Sequence, residues 1–167
     1  MRMIRWALLA LALTAAFGTL PAAATAAPRN VAVFPIELDD TSGEGSRPAQ
    51  EQRLRLLDAE LRERLAASGR YAPVAARLPE GSPAARNCNR CDVAEAGRMG
   101  AELALTGVVH KVSNLILVLT LTMREVPSGR VVGDWRADFR GNSDESWLRA
   151  LGWLLRNRVL ATPEPPR

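Results

Sequence analysis

The chain has 167 residues, 22 Lys and Arg against 18 Asp and Glu, 47% hydrophobic residues, a single His and two Cys. These values fit one ordinary globular domain. One His makes a Ser–His–acid triad implausible, and with only two Cys it leaves too few ligands for a four-ligand zinc site; without blocks of five or six like charges, no nucleic-acid partner is expected.

The first residues read as an export signal. Arg2 and Arg5 form a positive n-region, and an apolar run follows from Trp6 to Leu20. "PAAATAAP" then supplies small residues at the spacing a signal peptidase cuts, which predicts cleavage after Ala26. The run is shorter than the roughly 20 residues of a spanning helix, so no stable membrane insertion is expected after cleavage of residues 1–26. No cysteine follows that would carry a lipid anchor. Loss of Arg2 and Arg5 lowers the formal net charge from +4 to +2. The expected compartment is the periplasm, where disulfides persist. The mature chain reads as a single domain over 27–160, followed by a disordered tail over 161–167.

"NVAVFPIELDD" (30–40) predicts a strand apolar on both faces, as in a covered sheet, although Pro35 argues for an end or an edge. Asp39 to Ala49 is a polar, Gly-rich loop leaving the C-terminal end of that strand, a place where α/β folds often bind ligands. Asp39, Asp40 and Glu44 do not match the spacing of a calcium loop. The next segment predicts a helix, with Leu54, Leu57, Leu61 and Leu65 on one stripe. Glu51/Arg55, Asp58/Arg62 and Glu60/Arg64 would support its solvated face. Gly69 ends it.

"RYAPVAA" predicts a short strand, at an edge because of Pro73. A turn-rich connection leads to "NCNRCD", and helical spacing begins near Asp92, with Gly100 as its stop. The last third changes period. "ELALTGVVHKV" is a strand, Ser113-Asn114 a tight turn, and "LILVLTLTMREV" a strand with Leu115, Leu117, Leu119, Leu121 and Met123 on one face. After "PSG", with Pro127 at the first central position, a third strand would turn Val131, Trp135, Ala137 and Phe139 one way. Its alternate Asp134, Arg136, Asp138 and Arg140 would face solvent. Asn142 with Glu145 fits a capping box for a last helix, whose apolar face is Trp147, Leu148, Leu151, Leu154 and Leu155. The order β-α-β-α-β-β-β-α implies an α/β (α+β) fold. Its mixed sheet carries packed helices, a C-terminal antiparallel meander and a closing helix.

The Cys88–Cys91 pair is the one feature that resembles chemistry. A helix N-terminus stabilises a thiolate, so a redox pair with Cys88 as nucleophile is one reading. Capture of a soft metal by two thiolates is a weaker one. In an exported protein an even cysteine count more often means a disulfide, here a staple at a helix entry. His110 reads as a packed or hydrogen-bonded strand residue. No catalytic residue, metal site or cofactor is predicted, and the chain reads as more a binding module than an enzyme. Partner-contact candidates are Asp39, Asp40 and Glu44 in the first loop, and Asn142, Asp144, Glu145 and Trp147 at the last helix.

"NCNRC", "VSNLIL" and "RGNSDESW" resemble an uncharacterised family of exported bacterial proteins, over roughly 31–160. That resemblance implies no known activity. It suggests an accessory role, because members are sometimes encoded beside quinoprotein alcohol dehydrogenases. The strand–helix order is also similar to the amino-terminal domain of the Tol propeller protein. Periplasmic lipoproteins that activate penicillin-binding proteins or build curli export pores share it too. These imply docking to a protein partner in the periplasm or the wider envelope, with thiol redox or metal delivery through Cys88 and Cys91 as the alternative.

Overall fold

The computed structural model describes residues 27–45 and 47–161, so the expected signal peptide and almost all of the expected tail lie outside the described residues. The elements in chain order are β1 (Arg29–Val33), β2 (Glu37–Asp40), α1 (Pro48–Ala67), β3 (Tyr71–Ala75), α2 (Cys91–Arg98), β4 (Leu103–Lys111), β5 (Ile116–Glu125), β6 (Val131–Arg140) and α3 (Asp144–Leu154), which a π-helical turn extends over Leu155–Val159. All six strands join one mixed sheet in the order β3-β1-β4-β5-β6, with β2 also on β4. The first three strands are parallel to their neighbours and the β4-β5-β6 meander is antiparallel, as the sequence order implies.

Helices α1 and α3 cover one face of the sheet. Leu57, Leu61 and Leu65 of α1 and Trp147, Leu151 and Leu154 of α3 meet Leu103, Leu105, Leu117, Leu119, Leu121 and Met123 in the main core. Each such side chain contributes roughly 1.5–3 kcal/mol by leaving water. A smaller cluster of Ala32, Phe34, Ala76, Ala96, Ala101 and Ala104 lies under α2 on the opposite face. Small residues there let α2 approach closely. The rest of that face, across β4, β5 and β6, carries Val108 and Val118 among threonines and charged residues.

Four sequence expectations need correction. The first strand is split, because Pro35 occupies a bulge. β1 pairs Val33 with Leu105 and β2 pairs Glu37 with Val108, so four steps on one side oppose three on the other. A proline in a central strand is tolerated there because the extra residue leaves the ladder. The bulge exchanges faces: Val31 and Val33 join the main core before it, Ile36 and Leu38 after it. Gly107 makes room opposite, since a Cβ on it would lie 2.9 Å from Ile36. Leu115 is the second correction: it is in the β4–β5 turn and 55% exposed, outside the buried stripe.

The third concerns β6. Arg124 pairs with Val131 but Met123 with Gly133, so Val132 is an extra residue, and it packs on the core while Val131 faces solvent. The fourth is the α3 cap. Ser143, not Asn142, is the N-cap; its hydroxyl accepts from the Ser146 amide at 3.2 Å, and the Ser146 hydroxyl answers the Ser143 amide at 3.0 Å. In α1, Glu60–Arg64 pairs at 2.5 Å as expected. Asp58 instead accepts the Ile36 amide at 2.8 Å, satisfying a donor that the bulge releases. Burial pushes the Asp58 carboxyl up, against the pull of that amide.

Candidate functional site

β4 brings odd-numbered residues to the helix-covered face, and the last of them is Lys111. Its side chain is 0% exposed. A buried ammonium persists only if its protons are bonded. Here Nζ donates to Asp40 Oδ2 at 3.1 Å, Ser42 Oγ at 2.9 Å and Glu44 Oε2 at 3.0 Å. Each of its three protons thus has an acceptor. Ser42 donates its hydroxyl to Asp40 at 2.5 Å and its amide at 2.9 Å. These bonds from Ser42, joined by Lys111, hold the Asp40 carboxyl at about 2. Glu44 is lowered by the Lys111 hydrogen bond. Burial pulls the Lys111 ammonium down, but the hydrogen bonds and charges of Glu44 and Asp40 outweigh it and the net direction is up. The first loop is therefore wrapped around a buried cation.

The contacts continue. Glu44 accepts from Asn114 in the β4–β5 turn at 2.6 Å, and the Asn142 side-chain amide donates to Asn114 Oδ1 at 2.9 Å. Asn142 Oδ1 accepts from Arg53 of α1 at 3.1 Å and from the Trp147 indole at 3.0 Å. Arg53 also pairs with Asp144 at 2.8 Å. A chain of polar contacts thus runs from Asp40 through Lys111, Glu44, Asn114, Asn142 and Arg53 to Asp144. It fixes the first loop, the β4–β5 turn and the start of α3 as one surface. Val112, Leu115 and Ile116 are 45%, 55% and 49% exposed beside it.

Two groups of residues that the sequence singled out separately are therefore neighbours. Asp40, Glu44, Asn142 and Asp144 belong to the chain of contacts. Asp39 lies on the other face, where its carboxylate is 2.9 Å from His110 Nδ1. His110 is thus a hydrogen-bonded strand residue. Glu145 pairs with Arg149 in solvent at 2.8 Å. Trp147 is 1% exposed and stands edge-on to Phe139, with ring centroids 6.3 Å apart, so it positions the cap from inside the core. Lys111, Asn114 and Arg53 were missed. Lys111 left a signal: it falls on the core phase of Leu103, Leu105 and Val109.

The cysteines lie at the entry to α2, on the face of the sheet away from α1 and α3. Cys88 and Cys91 form a disulfide across 5.7 Å between Cα atoms. Arg90 between them has φ +67°, a left-handed conformation uncommon outside Gly. Its guanidinium donates to the Ser128 and Pro127 carbonyls of the β5–β6 turn, where the Val126–Pro127 peptide is cis. Cys91, rather than Cys88, occupies the first position of α2. Behind it Asp92 is 2% exposed and pairs with Arg124 at 3.3 Å. Among the described residues, no group of three or more His, Cys, Asp or Glu is placed to hold a metal ion. No described helix is long and apolar enough to cross a membrane.

Comparison with solved structures shows a shared fold. The chain is similar to the PelC dodecamer from Paraburkholderia phytofirmans, at 15% identity, 78% of this chain, 88% of that one and TM-score 0.53. It is similar to the LpoB C-terminal domain from Escherichia coli at 20% identity, covering 71% and 87% with TM-score 0.50. Lipoprotein GNA1162 from Neisseria meningitidis matches at 15% identity, 82% and 100% coverage and TM-score 0.50. No curated protein matches the sequence. A family described as "Protein of unknown function (DUF2380)" matches residues 29–159.

Proposed function

The chain belongs to that family, DUF3280, and from this premise we propose that it is an exported, non-enzymatic domain that docks to a protein partner in the periplasm. The observation that carries the reading is the chain of contacts from Asp40 to Asp144. It holds three sequence-distant segments rigid around the exposed Val112, Leu115 and Ile116. Prior ordering of a contact surface removes part of the entropy cost of association. The lysine at its centre is fully engaged, which suits a structural role better than proton transfer. A fold shared with a lipoprotein supports an envelope location, and the residues before Ala27 supply the export signal. An accessory role toward a periplasmic dehydrogenase is one form the docking can take.

A photo-crosslinking residue placed at Leu115 in exporting cells tests this. The expected result is one dominant adduct, lost when Ile116→Asp is added beside the probe, with mature protein that begins at Ala27. Retention of the chain in the cytoplasm, or adducts unchanged by Ile116→Asp, overturns the reading.

The thiol alternative has its own measurement. Arg90 is tied to the β5–β6 turn, and the disulfide closes the entry to α2, which favours a staple. We expect a reduction potential below about −300 mV. A value of about −120 to −180 mV, as in oxidising thiol-exchange proteins, would make the pair the active site instead.

A further inference from the structure

We infer that the free edge of β6 and the groove beside it take up an extended acidic segment of a protein partner as an added strand. The inference deepens the docking reading, on which it rests for there being a protein partner, but uses a different surface. β6 is last in the sheet order, so one of its edges has no strand neighbour among the described residues. The Gly141 amide donates to the Leu115 carbonyl at 3.1 Å, and Ile116 is opposite Arg140. This phase makes the odd-numbered β6 residues bond to β5. Asp134, Arg136, Asp138 and Arg140 then turn their backbone N–H and C=O groups to the open edge.

A groove of about 620 Å³ runs along that edge, between β6 and the α3 helix with its π-helical turn. Among the described residues its lining includes Arg136, Arg140, Arg149 and Arg158, but only one carboxylate, Asp138. Arg140 has no ion-pair partner among the described residues. The Arg136–Asp138 and Arg149–Glu145 pairs are solvent-exposed, so they yield readily to a competing acid. Trp153 is 42% exposed on the α3 side, with Arg158 over its ring at 5.7 Å. An added strand would meet Trp153 and Phe139, flanked by Arg149 and Arg158, with the side chains facing α3, and Arg136 and Arg140, beside Asp134 and Asp138, with the alternate set. That selects a segment in which acidic residues alternate with apolar ones.

The probe is a fluorescein-labelled decapeptide alternating Glu with Val, with a Lys/Val counterpart as control, added to the mature protein. Amide exchange is read by NMR and binding by anisotropy. The expected result is binding of the Glu peptide alone, with new protection at the amides of Arg136, Asp138 and Arg140. Arg140→Glu with Arg149→Glu should weaken binding at least tenfold. Asp138→Pro removes an outward N–H without touching the ladder, and should weaken it as much. Three results overturn the inference. Competition by polyphosphate with the edge amides unprotected would mean a simple polyanion surface. Doubling of mass, reversed by the arginine variants, would mean that a second copy occupies the edge. Absence of both binding and protection would leave the edge charges as a guard against strand addition. Leu115 crosslinking is read separately, so either reading can fail without the other.

Discussion

The two ends of β4 are held by different chemistry. Near Leu103, whose partner Glu125 leads into the β5–β6 turn, the fold is closed by Arg90 reaching that turn from within the covalent Cys88–Cys91 loop. At Lys111 it is closed by charge and hydrogen bonds alone, spread over the first loop, the β4–β5 turn, α1 and α3. The covalent part of the first hold spans three positions and Arg90 reaches 38; the second joins residues 28 to 91 positions apart. A staple fixes one turn and answers to redox potential. The polar hold orders a whole surface and answers to protonation.

Removing each hold in turn breaks the comparison open. Lys111→Met should have the largest effect, about 3 kcal/mol lower stability in urea, because it leaves Asp40 and Glu44 without their cation. Hydrogen exchange should quicken over 39–45 while 88–98 stays protected; equal loosening at both ends would refute the separation. Cys88→Ser with Cys91→Ser should cost about 2 kcal/mol for so short a loop and reverse the pattern of exchange. Ser143→Ala should cost about 1 kcal/mol through the lost cap, with fraying at α3 and none at α2. Acid gives the smallest contrast. The Asp40 carboxyl is depressed from 3.8 to about 2, so its contribution is present above pH 3.8 and fades as pH falls toward 2. Exchange over 39–45 should rise across that window while the disulfide end is unchanged. A rise confined to 88–98 would contradict the assignment.

Much of the fold was legible. Alternation placed Leu117 to Met123 in the core, spacing placed Leu57, Leu61 and Leu65, and Pro73 marked an edge strand. What failed was phase. One inserted residue, at Pro35 in the first strand and at Val132 in β6, reverses which side chains face inward, and no local pattern announces it. The polar site was half legible. Loop composition and the α3 cap each attracted notice, but their meeting depends on a lysine at a core position. The sequence shows that lysine only when strand phase is followed to its last residue.

The bulge at Pro35 also bears on how the gene tolerates change. An in-frame loss of that one codon would keep every other residue and still turn Ile36 and Leu38 outward, carrying Asp40 to the face away from Lys111. A codon lost between 79 and 84, in the connection before Cys88, shifts no strand phase. Insertions and deletions should therefore accumulate in that connection among natural variants, while the spacing between Val33 and Glu37 stays constant even where its residues differ.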